Sequence, residues 1–118
     1  MEIKEYNTYF ELMYSKDTTA VINGESKDAI SKLRNKIAMT YARVGQELAI
    51  IKNDIDKEFQ KLTESGSTAT AAVRLSETNI NAKAGVSRRD LQYMREALLN
   101  FSNSCSSRLN VLINEKEG

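Results

Sequence analysis

Residues 28–65, DAISKLRNKIAMTYARVGQELAIIKNDIDKEFQKLTES, decide the fold. Large apolar side chains recur at Ile30, Leu33, Ile37, Tyr41, Val44, Leu48, Ile51, Ile55, Phe59 and Leu62. Each step is three or four residues, which is one face of an α-helix. The mean step, about 3.56, lies between the heptad value and that of an eleven-residue repeat, so little supercoiling is required. Ser26 or Asp28 can cap the start. Gly66, just after Ser65, is a fitting stop. Asp28–Lys32 and Arg43–Glu47 are spaced for pairing on the wet side. At 1.5 Å per residue the helix is about 55 Å long, too long for a compact globule of 118 residues. A long helix of this kind needs a second helix beside it, or further copies of the chain.

The second helix is legible in residues 87–115. Ser87 and Asp90 have capping-box spacing. Leu91, Met94, Leu98, Phe101, Cys105 and Leu112 then form a seam, widened by Leu99, Val111 and Ile113. Arg108 falls on that seam and needs a partner or a path to water. The run of small residues at 102–107, SNSCSS, favours close approach of another backbone over any chemistry. Between the two long helices, residues 66–86 are Ala-rich and poor in bulk, and are expected to form a loose, partly helical connection. Ala71, Ala72, Ser76 and Ile80 are its one narrow face.

Ahead of the long helix, residues 1–15 place Ile3, Tyr6, Tyr9, Phe10, Met13 and Tyr14 three and four apart, as on a short helix. Residues 16–27 carry β-branched Thr18, Thr19, Val21 and Ile22 before an Asn23-Gly24 turn signal, and read as an extended linker. The expected architecture is a single all-α domain over residues 1–118: an N-terminal helix and a long antiparallel helical hairpin, in an oligomer. The absence of proline agrees with long unbroken helices.

Composition narrows function. Histidine is absent and Cys105 is the single cysteine. No Cys–His pair, phosphate-cradling glycine loop or carboxylate cluster with metal spacing occurs, so the expectation is a protein that is not an enzyme and takes no cofactor. One thiol cannot form an intramolecular disulfide, which points to a reducing, cytoplasmic setting. No segment approaches the roughly 20 apolar residues of a membrane span. The net charge is only +1, so any polyanion binding needs a local patch. Residues 28–52 supply one, summing to +3. The candidate nucleic-acid residues are Lys32, Arg34, Lys36 and Arg43, with Arg88 and Arg89 at the start of the last helix. The preferred reading of the same cations is a solvated or ion-paired face, with a phosphate-binding stripe second. Tyr6, Tyr9, Phe10 and Tyr14 read first as core packing against the base of the hairpin; the alternative is contact to a neighbouring subunit or a partner, because Tyr-rich segments are good interface anchors.

The order of parts resembles the UvsY-type phage recombination mediators. The closest local likeness is LQYMREALLNF, through Leu91, Gln92, Tyr93, Leu98, Leu99 and Phe101, followed by the Arg108 turn and the apolar Leu109, Val111, Leu112 and Ile113. About twenty residues carry it, while the likeness of architecture spans most of the chain. The resemblance implies an oligomeric single-strand DNA-binding protein that helps load a strand-exchange recombinase. The alternative is a phage assembly or host-inhibiting protein acting through helix-mediated contacts with another protein.

Overall fold

The computed structural model describes residue 11 and residues 15–117, and every element among them is helical. Helix α1 spans Lys16–Ile22, α2 Lys27–Glu64, α3 Ala69–Ala84 and α4 Arg88–Glu117. No strand occurs among the described residues, so the class is all-α. The helix expected over residues 1–15, with Tyr6, Tyr9, Phe10 and Tyr14, lies almost wholly outside the described residues.

Each boundary has a local cause. Ser26 caps α2, its Oγ accepting from the Ala29 N–H at 3.2 Å, with Asp28 in the first turn where an acid suits the helix dipole. At the other end the Gly66 N–H donates to the Thr63 carbonyl and the Ser67 N–H to the Leu62 carbonyl, at 3.1 and 3.0 Å. That pair of bonds is a Schellman motif, and it requires the left-handed φ of 96° that Gly66 supplies. Thr68 caps α3, Gly85 ends it at φ 73°, and the Ser87 Oγ accepts from the Asp90 N–H at 3.0 Å to start α4. A Cβ at Gly85 would meet nothing within 4 Å, so Gly85→Ala is strained by its backbone alone. The expected cost is about 1 kcal/mol, read as a lower urea midpoint at unchanged slope.

Two segments differ from what the sequence suggests. Residues 16–27 are not an extended linker, because most of them form α1. The Ser15 Oγ accepts from the Thr18 N–H at 3.0 Å, Thr18 is buried, and Val21 and Ile22 pack on the core. Burial outweighs the weak β preference of these side chains. The Asn23-Gly24 signal does mark the turn into α2. Residues 66–86 are helical over more of their length than a partly helical connection suggests, since α3 is a capped helix of 16 residues. Its buried positions are Ala72 and Ser76, 0% and 1% exposed, and such small side chains let α3 lie close on α2.

The two long helices run antiparallel. Arg34 reaches Ser106 (3.5 Å), and further along α2 Tyr41 meets Arg95. They are not adjacent arms of a hairpin, however. Only residues 65–68 join α2 to α3, so α3 returns along the far half of α2, and α4 continues along the near half. End to end, α3 and α4 would measure about 69 Å at 1.5 Å per residue. The body is 68 × 26 × 17 Å. Its radius of gyration is 19.0 Å, against about 13.5 Å for a compact domain of this length. The core is therefore one long seam. Ile30, Ile37, Val44, Leu48 and Ile51 of α2 meet Leu91, Met94, Leu98, Cys105, Leu109 and Leu112 of α4.

Candidate interaction surface

At 3.6 residues per turn, Lys32, Lys36 and Arg43 fall within about 40° of one another on α2. They form one flank beside the seam. Met39 and Ile50 share that side, 75% and 54% exposed. Lys32 pairs with Asp28 at 3.1 Å between exposed side chains, a contact worth about 0.3–0.5 kcal/mol. Arg34 lies about 180° round the helix from Arg43, on the opposite flank. There its Nη1 donates to the Ser106 Oγ. The six candidate cations are thus not gathered into one cleft.

Arg88 and Arg89 have partners of their own. Arg88 Nη2 lies 3.1 Å from Glu77 Oε1 of α3, and its backbone N–H donates to Asn81 Oδ1 at 3.1 Å. Arg88 therefore fastens the α3–α4 corner. Arg89 Nε donates to the Tyr93 hydroxyl at 3.2 Å and its guanidinium lies 5.4 Å from that ring's centroid. Arg89, the next residue of α4, is exposed.

The seam charge at Arg108 finds its partner in the turn before α2: its Nε donates to the Gly24 carbonyl at 2.9 Å. This bond holds the α1–α2 turn against α4. Cys105 is wholly buried in the seam. Burial pushes its thiol pKa up, and the nearby Arg34 guanidinium opposes the shift only in part. Two outcomes are expected. Thiol reagents should label native Cys105 slowly, and Cys105→Ser should cost about 1–3 kcal/mol, measured by urea unfolding. The pH dependence has a definite sign. A thiol pKa raised by folding adds stability that is complete below the unfolded thiol's value, about 8.5, and is lost as pH rises through the folded value.

One feature of the surface escaped the sequence reading. Opposite the Lys32–Lys36–Arg43 flank, a groove runs between α2 and α4, lined by Tyr41, Gly45, Leu48, Lys52, Arg95 and Leu99. The Arg95 guanidinium sits 4.8 Å from the Tyr41 ring centroid. A Cβ at Gly45 would meet Arg95 Nε at 3.7 Å, an ordinary contact, so the Arg95 side chain lies over the floor at Gly45 and a Cβ there is tolerated. The signal was present in Ala38, Ala42, Gly45 and Ala49, small residues at steps of four, three and four. Their spacing marks a smooth track as surely as large residues mark a seam.

Among the described residues, no three or more His, Cys, Asp or Glu side chains come together as metal ligands, and no helix is long and apolar enough to cross a membrane. Comparisons with known protein families, with curated proteins and with solved structures find no match.

Proposed function

We propose that the protein works without catalysis, as a helical interaction protein that self-associates and presents its long flanks to a partner. The observation that carries this is apolar exposure on a narrow body. Met39 and Ile50 stand in line on α2, and Leu99, Val111 and Ile113 stand 46%, 45% and 41% exposed on α4. Apolar side chains are thus left uncovered on both flanks of an extended body, where a partner helix can cover them. The lone buried Cys105 suits a reducing, cytoplasmic setting.

A second reading rests on the alignment of Lys32, Lys36 and Arg43. On this reading the oligomer is a single-strand DNA-binding recombination mediator, as the UvsY-type resemblance implies, and it helps load a recombinase. Repeating a three-cation stripe in every subunit would give a weakly charged chain real avidity for a polyanion. Salt separates the two. Binding of a fluorescent single-stranded oligonucleotide should be negligible at physiological salt if helix docking is the function. Strong binding that falls steeply as salt rises, and that K32Q/K36Q/R43Q removes, puts the DNA reading first.

A further inference from the structure

We propose that the groove around Gly45 receives the N-terminal segment, residues 1–14, of a second copy of the chain. This rests on the self-association reading above and names the contact that makes it. Three observations point there. The first is charge. Among the described residues that line the groove, Lys52 and Arg95 stand against one acid, Glu96, with Arg34 further along the same flank. Residues 1–14 carry Glu2, Glu5 and Glu11 against Lys4. Segment and groove are therefore of opposite sign.

The second is shape and apolar pattern. Tyr6, Tyr9, Phe10 and Met13 recur at helical spacing, so the segment can offer one aromatic edge. The groove has the converse form: a floor of small residues, Ala42, Gly45 and Ala49, beside the Tyr41 ring, Leu48 and Leu99, with the Arg95 side chain lying over Gly45. An amphipathic helix laid in an apolar groove is a recurrent recognition mode.

The third concerns which copy supplies the segment. Residue 15 leads into α1, and the α1–α2 turn is held by Arg108 through Gly24. Arg108 lies about 140° round α4 from Arg95, on the side away from the groove. A chain's own segment would have to wrap across the body to enter its own groove. A second copy is under no such tether.

The test is the solution mass of the full chain, by sedimentation over micromolar concentrations, with helix content followed by circular dichroism. The wild type should exceed the single-chain 13.3 kDa. K52E/R95E should fall to that mass with helix content kept. Gly45→Glu is a second blocking variant. Its Cβ meets nothing closer than 3.7 Å, so the helix survives while the floor is filled. Reversing the segment instead, with E2K/E5K/E11K, should also give single chains, and combining it with K52E/R95E should restore the assembly. If the wild type is oligomeric and every variant keeps its mass, the contact lies elsewhere, and self-association stands without this proposal. If the variants lose thermal stability at unchanged mass, the segment docks in its own chain and the second-copy proposal is overturned. A wild type of 13.3 kDa at every concentration overturns both.

Discussion

Ile37→Ala is expected to destabilise the protein by about 2–5 kcal/mol. Ile37 is 1% exposed near the middle of the α2–α4 seam. The core here is a single layer between two helices, so a cavity has few neighbours able to collapse into it. A domain of this size has about 5–15 kcal/mol of stability in all, so the loss is a large part of the total. Urea unfolding followed by circular dichroism should show the midpoint falling steeply. Val73→Ala is the contrasting change. Val73 is 58% exposed on α3, and Ala is the better helix former, so a change within about 0.5 kcal/mol of zero is expected. Equal effects at the two sites would mean that the seam is not the core.

Ala72→Leu has the second large effect, and it acts by the opposite mechanism. Ala72 is fully buried where α3 lies on α2, with Ser76 one turn on, its hydroxyl bonded to the Val73 carbonyl at 3.1 Å. Ala72 is 0% exposed, so an isobutyl group there has no path to solvent and α3 must lift away or distort. The expected cost is about 1–3 kcal/mol. Because α3 is short and rests on small side chains, the damage should be local. Amide exchange in 69–84 should quicken while the α2–α4 seam keeps its protection. Unchanged exchange in α3 would show that the helix is held by something other than close approach.

These two cases also mark how far the sequence could be read. Helix α2 was legible because large side chains at three- and four-residue steps leave no alternative period, and Ser26 and Gly66 punctuate it. Helix α4 was legible for the same reason from Leu91 to Leu112. Helix α1 was not. Its β-branched residues favour extension locally, and only the burial of Thr18, Val21 and Ile22 in the tertiary fold reverses that. Helix α3 gave a faint signal because its contact face is built from Ala72 and Ser76, and small side chains add little to a hydrophobic period.

At the candidate surface the sequence supplied the cations but not their arrangement. Arg34 and Arg43 differ by nine residues, which puts them on opposite flanks once the α4 side is fixed. The arginines that open α4 read either as nucleic-acid contacts or as ion-pair partners. Arg88 pairs with Glu77 of α3, a residue eleven positions earlier that no local spacing rule would join to it. The groove depends on α4 lying beside Gly45, so its small-residue track meant little until the two helices were set side by side.

Self-association through exposed helical surface fixes the solution mass of the intact chain. Sedimentation equilibrium across the low-micromolar range, without nucleic acid, should give a mass that is a multiple of 13.3 kDa and rises with concentration toward a closed assembly. A mass of 13.3 kDa throughout that range would contradict the account.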